Sequence, residues 1–377
     1  MKCVLSDIAD VTMGQSPKSE FYNSEGLGMA FLQGNRTFGK RYPVFDTYTT
    51  MPTKIAKAGD VIMSVRAPVG DLNFTPVDMC LGRGVCGIRM KNGNQDFLFY
   101  LLKYYMPQLI NKESGTVFGS VNRNDINGLE LEIPDDIEQQ RIARVLTLFD
   151  DKIENNDAIN ENLSQQIQFI YDNLADGLTG DPFDLSTIID VRDGTHDSPK
   201  AVEEGFPLVT SKHLLPYGVD LSTANLISKE DFDKTNERSL VETHDILISM
   251  IGTVGLISLV IDDPVPFAIK NVGLFKTSKC PELYAYILTY LRSTKTTQHI
   301  EKTLAGSTQK YISLGELRKM PIILPDENKL RDFNNIVVPL IMHITNLTEE
   351  NKRLVELRDT LLPKLMSGEL NVSELEL

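Results

Sequence analysis

Two separate stretches of the chain carry apolar residues at alternating steps of three and four. In the first, the positions are 146, 149, 153, 156, 160, 163, 167, 170 and 174, and they are apolar except for Asn156 and Asn160. The positions 191 residues later are also apolar, except for Asn351 and Arg358. This spacing is typical of a helix with one apolar face, and it predicts two helices of roughly 40 residues, each about 60 Å long.

The residues at the ends of these stretches support the same interpretation. Asp135 and Glu138 follow Pro134 and form a pattern like a capping box, which favours the start of a helix. Gly177 and Gly368, again 191 residues apart, stand where glycine commonly ends a helix.

The remaining sequence forms two blocks that repeat one another. The run LSDIADVTMGQSP at 5–17 matches DLSTIIDVRDGTHDSP at 184–199, and AGDVIMSVRAPVG at 58–70 matches THDILISMIGTVG at 243–255. Later, LEIPDD at 131–136 matches IILPDE at 322–327. A repeat of this length indicates two copies of one folding unit, each followed by a long helix.

Within each block, short apolar runs alternate with longer helical patterns. DVIMSV and DILISMIG are bounded by Gly, Pro and Asp and predict strands, whereas FLFYLLKYYMPQLI and ELYAYILTYLRSTKTTQHI predict helices. The predicted fold class is therefore α+β, with two mixed α/β domains joined by two long antiparallel coiled-coil helices. The predicted domains are residues 1–134, spacer helix 135–180, residues 181–325, and spacer helix with C-terminal tail 326–377.

Each long helix has an apolar face that needs a partner, and the other helix is the natural one. If the two run antiparallel with their seams matched end to end, Asn160 faces Asn351 at the midpoint. A buried Asn pair costs stability but penalises slipped registers, so it would fix the relative placement of the two helices. The alternative is that both asparagines lie at a solvated edge.

The net charge of −14 argues at first against nucleic acid, but the charge is unevenly distributed. Residues 135–180 carry three basic and ten acidic side chains, whereas residues 1–134 carry fourteen basic and thirteen acidic ones. The two blocks can therefore still present basic faces. No apolar run reaches the roughly 18 residues of a membrane span, and a signal-peptide core is missing, so we expect a cytoplasmic protein.

Cysteine and histidine usage indicates neither a disulfide framework nor a metal site. The four cysteines, Cys3, Cys80, Cys86 and Cys280, include no C-x-x-C pair, and the five histidines are scattered. We expect no metal and no cofactor on this chain.

The segment GNRTFGKR at 34–41 is one residue short of a phosphate-binding loop. Such a loop needs a Ser or Thr after its Lys and a helix that begins there, but Arg41 takes the hydroxyl's place and Pro43 follows closely. The segment is polar, basic and rich in glycine, and a DNA-facing loop explains it better than a nucleotide site does.

Several segments in a fixed order resemble one known family. SGTVFGSVNRNDINGLELEIPDDIEQQRIARVLTLFDDKIENN at 114–156, AGSTQKYISLGELRKMPIILP at 305–325 and LRDTLLPKLMSGEL at 357–370 are similar to the specificity subunit of type I restriction-modification systems. GQSPKSEFYNSEGLGMAFLQGNRTF at 14–38 resembles one class of that family's target-recognition domains. The similarity covers essentially the whole chain.

The resemblance implies a non-catalytic subunit that binds double-stranded DNA. In this family each recognition domain reads one half of a split target, the spacer helices bind two modification (methyltransferase) subunits, and a restriction (translocase and nuclease) subunit joins them. S-adenosylmethionine, ATP and Mg would be bound by those partners. Because the two blocks differ greatly in sequence, we expect an asymmetric target.

Candidate DNA contacts are polar or basic residues in predicted loops, where they can reach phosphates or base edges. In the first block they are Gln15, Ser16, Lys18, Asn35, Arg36, Arg41, Arg83, Asn122 and Arg123. In the second they are Arg192, Thr195, His196, Lys212, His213, Lys270, Asn271, Ser307, Thr308, Gln309 and Lys310. Arg66 lies in a strand-like run, so an ion pair within the fold explains it as well as a DNA contact does.

Two other functions fit parts of the sequence. A helical scaffold that displays two protein-binding domains has the same architecture, and the acidic net charge suits it. A nucleotide-dependent enzyme would require ATP binding that is lost on Lys40→Ala.

Overall fold

The computed structural model describes residues 1–66, 68–111, 119–306 and 309–372. The chain divides into two compact units. Unit 1 comprises Met1–Ile153 and Arg353–Leu377, and unit 2 comprises Glu154–Lys352. Each unit therefore contains part of both long helices.

Unit 1 combines short strands with one substantial helix of its own. Its strands are β1 Lys2–Val4, β2 Ala9–Met13, β3 Tyr22–Asn23, β4 Met29–Leu32, β5 Tyr48–Thr49, β6 Ile55–Ala56, β7 Val61–Val65, β8 Val69–Phe74, β9 Met79–Leu81, β10 Val85–Met90 and β11 Glu130–Glu132. Its helices are α1 Leu5–Ile8, α2 Gln95–Ile110, α3 Arg123–Asn127 and the first part of α4 Asp136–Asp176.

Unit 2 repeats this order of elements with more helix. Its strands are β12 Phe183–Asp184, β13 Val191–Asp193, β14 Phe206–Val209, β15 Asn225–Ile227, β16 Ile246–Ser249, β17 Ile257–Leu259, β18 Ala268–Ile269, β19 Val272–Phe275 and β20 Pro321–Ile322. Its helices are the second part of α4, α5 Lys229–Ser239, α6 Tyr284–Arg292, α7 Thr294–Thr303, α8 Leu314–Arg318 and most of α9 Glu327–Met366, whose C-terminal part belongs to unit 1.

The sheets show that the sequence repeat is a structural repeat. Unit 1 has a four-stranded sheet in the order β2-β10-β7-β8, and unit 2 has one in the order β13-β19-β16-β17. Each unit also has a two-stranded sheet, β1-β11 or β12-β20, and a further sheet in which one pair of strands is parallel. The predicted fold class, α+β with two mixed domains, an internal repeat and two long antiparallel helices, is confirmed.

Matching residues of the repeat make matching hydrogen bonds. Asp60 accepts a hydrogen bond from the backbone N–H three residues before it, at 2.7 Å, and Asp245 does the same at 2.8 Å. Ser64 Oγ accepts one from Asp71 N at 2.9 Å, and Ser249 Oγ accepts one from Leu256 N at 2.8 Å. These buried side chains turn the chain at the ends of β7 and β16, so the repeat preserves them.

The long helices share in the cores of the blocks. In unit 1, Leu146 of α4 and Leu365 of α9 belong to one buried cluster with α2 and the four-stranded sheet. In unit 2, Ile167 of α4 and Val337 of α9 belong to a cluster with α6. The apolar seam is therefore covered by the globular blocks as well as by the other helix.

Most predicted helices are confirmed, and one is interrupted. The two seam helices span 41 and 40 residues, and Asp135 Oδ1 accepts hydrogen bonds from the N–H groups of Ile137 and Glu138 at 3.0 and 2.9 Å. The single helix predicted over 282–300 is wrong, because Ser293 adopts extended backbone between α6 and α7. Its Oγ accepts a hydrogen bond from Thr296 N at 3.2 Å and so caps the second helix.

The antiparallel direction of the helix pair is confirmed, but the predicted register is displaced by about one turn. Within unit 2, Asn156 Nδ2 donates to Asn351 Oδ1 at 2.9 Å, and Asn160 Nδ2 donates to Thr348 Oγ1 at 3.4 Å. The expected Asn160 to Asn351 pair is therefore wrong. Heptad spacing determines which face is buried but not the axial position, which the packing against the blocks also decides.

Asn156 and Asn351 should depend on each other for stability. Asn351→Leu removes one of the two acceptors of the fully buried Asn156 Nδ2, which also donates to Glu350 at 2.8 Å, and we expect a loss of about 1 kcal/mol. The double variant Asn156→Leu/Asn351→Leu should lose less than the sum of the single variants, because both polar groups are removed together. Chemical denaturation of the four chains measures the coupling, and additive losses would show that the pair is not energetically linked.

Candidate nucleic-acid interface

In each unit, the loop after the first strand of the four-stranded sheet crosses the end of a parallel strand. In unit 1, Gln15 N donates to Leu81 O at 2.9 Å, at the end of β9. In unit 2, Thr195 N donates to Ile269 O at 3.0 Å, at the end of β18. The repeat therefore places two predicted contacts, Gln15 and Thr195, at the same point of the fold.

A glycine makes each crossing possible. A Cβ at Gly14 would lie 2.0 Å from Gly82 O, and one at Gly194 would lie 2.3 Å from Ile269 O. Both distances are far inside van der Waals contact. These glycines hold the loop that carries Gln15 or Thr195 against the strand end.

The next residue of each loop contacts the turn that follows the parallel strand. Ser16 Oγ accepts a hydrogen bond from Arg83 N at 3.2 Å in unit 1. In unit 2, His196 Nδ1 lies 2.7 Å from Asn271 Oδ1. Four predicted contacts, Ser16, Arg83, His196 and Asn271, therefore come together in two equivalent pairs.

The unit 1 site is a basic cavity of about 390 Å³. Gln15, Arg83, Asn122 and Arg123 line it, together with Arg66. Asn122 also has a structural role, because its side chain accepts hydrogen bonds from Asn124 N and Asp125 N at 2.8 and 3.2 Å and so caps α3.

The unit 2 site carries both signs of charge. His196 is 62% exposed, and its Nε2 lies 3.1 Å from Asp193 Oδ2, while Arg238 of α5 donates to the other oxygen of that buried carboxylate. Lys270 Nζ donates to Ser198 Oγ at 2.6 Å. An adjoining cavity of about 480 Å³ lies between this loop and α5. Such a site offers several donors and acceptors but little net positive charge.

The GNRTFGKR segment has carboxylate partners within unit 1. Asn35 Nδ2 donates to Asp71 Oδ2 at 2.5 Å, and Arg36 donates to Asp46 at 2.6 Å, a hydrogen bond that lowers the pKa of that carboxyl. No helix begins between β4 and β5, so the segment lacks the helix of a phosphate-binding loop. Asn35 and Arg36 remain predicted DNA contacts.

Arg41 and His213, also predicted DNA contacts, have little exposed surface in the structure. The Arg41 side chain is 12% exposed, pairs with Asp151 at 2.6 Å and lies over the ring of Phe74. His213 is 2% exposed, and its Nδ1 accepts a hydrogen bond from Thr210 N at 2.9 Å. Burial lowers the pKa of His213. Arg41 therefore has partners inside its own unit, whereas the buried Nε2 of His213 has no hydrogen-bond partner among the described residues.

Arg192 is also held within its unit. It donates to Asp190 at 2.8 Å and to Arg238 O at 2.9 Å, and its hydrogen bond lowers the pKa of the Asp190 carboxyl. The side chains of the other predicted residues, Lys18, Lys212, Gln309 and Lys310, lie at the surface. Ser307 and Thr308 fall outside the described residues.

Sequence reasoning left the role of Arg66 open and missed Asp193 and Arg238 as parts of these sites. Arg66 directly follows β7 and bridges Ser120, and that position brings it into the cavity. The sequence feature that could have identified Arg66 is a single cationic residue at the end of an apolar run. Asp193 carried no such signal, since its role depends on the fold around it.

The described residues contain no group of three His, Cys, Asp or Glu side chains that could hold a metal ion. In that same part of the chain, every helix is too short or too polar to cross a bilayer.

A family model covers most of the sequence. The type I restriction modification DNA specificity domain matches residues 2–165 and 196–352, so each half of the repeat matches once.

Two curated relatives of this chain are named as specificity subunits of type I restriction enzymes. The putative type I restriction enzyme MjaX specificity subunit of Methanocaldococcus jannaschii is 42% identical over 146 residues, which span 38% of this chain and 34% of that protein. The type I restriction enzyme MjaIX specificity subunit of the same organism is 26% identical over 98% of this chain and 93% of the relative. The match to MjaX thus spans about a third of its length, whereas the match to MjaIX extends over nearly all of it.

A solved structure supports the fold over nearly the full length. The S subunit of a type I restriction-modification system from M. genitalium superposes with a TM-score of 0.57, covering 97% of this chain and 95% of the other at 17% identity.

Proposed function

Because this chain belongs to the type I restriction-modification DNA specificity family, whose role is DNA sequence specificity, we propose that its two blocks read the two halves of one split DNA target. The members of this family are non-catalytic components of type I restriction systems. Each block contributes the loop and turn that meet at Gln15 and Arg83 in unit 1 and at Thr195 and Asn271 in unit 2.

The observation that carries this proposal is the difference between two equivalent places. The same loop crosses the same strand end in both units, but unit 1 presents Gln15 with arginines and unit 2 presents Thr195 with His196 and Asn271. Base edges in the major groove differ in their pattern of donors and acceptors, so different side chains select different bases. The two half-sites therefore differ, and the target is asymmetric.

The partners in this proposal supply the chemistry. Two modification subunits dock on the long helices α4 and α9, and a restriction subunit joins the complex in the cytoplasm. S-adenosylmethionine, ATP and Mg are bound by those subunits. This chain provides recognition domains at 1–134 and 181–325 and spacer helices at 135–180 and 326–377.

The test is the methylation pattern that this chain directs. It is expressed with its modification subunits in a host that lacks DNA methylation, and the methylated bases of the genome are mapped by sequencing. The proposal expects one two-part motif with unequal halves and a fixed gap. Methylation without a two-part motif would instead support the helical scaffold, in which neither block reads DNA.

A variant of one block gives the test a second readout. His196→Ala should reduce the free energy that discriminates between bases in one half of the motif by about 1–3 kcal/mol for each base pair it contacts. The other half of the motif should stay unchanged. His299→Ala, on α7 of the same unit and half-buried, is the control and should leave both halves unchanged. Relaxation of both halves at once would contradict the assignment of one half-site to each block.

A further inference from the structure

Three guanidinium groups from three separate elements converge on the unit 1 cavity. Arg66 follows β7, Arg83 lies in the turn between β9 and β10, and Arg123 is the first residue of α3. All three side chains are exposed. The described residues that line the cavity include no carboxylate.

These arginines differ from the others of unit 1 in what surrounds them. Arg36, Arg41 and Arg89 each pair with a carboxylate at 2.6 Å. Within the described ranges, the side chains of the three cavity arginines form no hydrogen bond or ion pair. Three like charges around one cavity repel each other, and a bound anion would relieve that repulsion.

The number of guanidinium groups favours a phosphate over a base. A guanine offers one pair of acceptors, O6 and N7, which a single arginine occupies in a bidentate contact. A backbone phosphodiester carries a full negative charge and oxygens that several guanidinium groups can share.

Among the described residues of unit 2, the equivalent positions hold no arginine. Arg66 bridges Ser120, and the matching bridge in unit 2 joins Ile251 to Tyr311. Arg123 begins α3, whereas the matching helix α8 begins at Leu314. In unit 2, Lys270 and Asn271 occupy the turn that matches the Arg83 turn of unit 1, and Lys270 Nζ donates a hydrogen bond to Ser198 Oγ.

We propose that Arg66, Arg83 and Arg123 form a phosphate clamp that binds one backbone phosphodiester of the DNA at unit 1. The clamp contributes affinity without sequence preference, and the part of unit 2 that the structure describes has no counterpart. This inference rests on the proposed function, since it requires DNA to lie against this face of unit 1.

The first test compares the affinity of the complex for two DNA duplexes, one that contains the target sequence and one that does not. The chain is purified in complex with its modification subunits, and Arg66→Ala, Arg83→Ala and Arg123→Ala are measured against the wild type. Each variant should weaken binding to both duplexes by the same factor, roughly tenfold at low salt. The slope of log affinity against log salt should fall by about one unit for each arginine removed.

Two controls separate charge, contact and folding. Lys57→Ala removes one positive charge from unit 1, but that lysine already pairs with Asp78, so affinity should stay near wild type. Arg66→Lys keeps the charge and should retain most of the salt dependence. Thermal unfolding of each variant, expected to match the wild type, checks that the exposed substitutions leave the fold intact.

The second test locates the phosphate. Duplexes that carry one neutral methylphosphonate in place of a phosphate are scanned across the half-site of unit 1. The wild-type complex should lose affinity at one or two positions, and Arg66→Ala should lose nothing further there, because both changes remove the same contact.

Each remaining outcome overturns the clamp in a recognisable way. Weaker binding to the target duplex alone would mean that the arginines read bases. Unchanged affinity for both duplexes would mean that the cavity does not face DNA. If the wild-type complex shows no preference for any target, the proposed function itself fails, and this result is separate from the other two.

Discussion

Asp150→Ala is expected to lower the free energy of unfolding by about 3–5 kcal/mol, because it breaks a buried ion pair. Asp150 of α4 pairs with Arg358 of α9 and accepts a hydrogen bond from Tyr100 of α2 at 2.5 Å. The two charged side chains are only 12% and 15% exposed. Burial and the Asp150 charge raise the pKa of the Tyr100 phenol, which therefore stays neutral. The substitution removes the carboxylate that this hydroxyl shares with the Arg358 guanidinium.

The measurement has to resolve unit 1 from unit 2, because a chain with two units need not unfold in one step. Denaturant titration followed by hydrogen exchange of α2 amides reports unit 1. Asp359→Ala is the control, since that carboxylate is 47% exposed and should contribute less than about 1 kcal/mol through Lys103 and Arg358. If Asp150→Ala unfolds at the wild-type denaturant concentration, the network does not stabilise unit 1.

Lys276→Met should destabilise unit 2 by about 3–5 kcal/mol, far more than Arg89→Met destabilises unit 1. The repeat supplies this comparison, because each cation pairs with the matching aspartate of its own unit. Lys276 is 2% exposed and donates to the fully buried Asp245 at 2.5 Å. Arg89 is 48% exposed at 2.6 Å from Asp60, and its loss should cost about 1 kcal/mol or less.

At acid pH, the free energies of unfolding of the wild type and of Lys276→Met should lie closer together. The hydrogen bond from Lys276 lowers the pKa of Glu242 below its ordinary 4.5. A depressed carboxyl pKa stabilises the folded state above the unfolded-state pKa, and this contribution is lost as the pH falls through the folded-state value. Unfolding at a series of pH values from about 6 downward, in roughly half-unit steps, measures this. A constant difference would mean that the Glu242 contact adds no stability.

The sequence predicted the elements that depend on periodicity. The seam of α4 and α9 and the repeat of β7 in β16 could be predicted because they follow from local spacing. The break at Ser293 and the one-turn displacement of Asn351 could not, because capping and packing against the blocks decide them. Periodicity does not report either of these effects.

For the candidate sites, the sequence supplied the residue types but not their surroundings. Gln15 and Arg83 were chosen separately, and only the fold shows that their loops touch. His213 was chosen as a surface histidine because the sequence does not show how deeply a side chain in a predicted loop is buried. Arg66 was interpreted equally well as a structural ion pair, since the sequence does not show whether a carboxylate lies within reach.

Unit 1 is formed by two separate segments of the chain, and this affects the order in which the units fold during translation. Leu362, Leu365 and Val372 are buried in the same core as α2, so that core remains open until these residues have been translated. Unit 2 is one uninterrupted segment, Glu154–Lys352, and its residues all emerge earlier. The block made first is therefore completed last, and a nascent chain that stalls after unit 2 leaves an apolar surface for chaperones to cover.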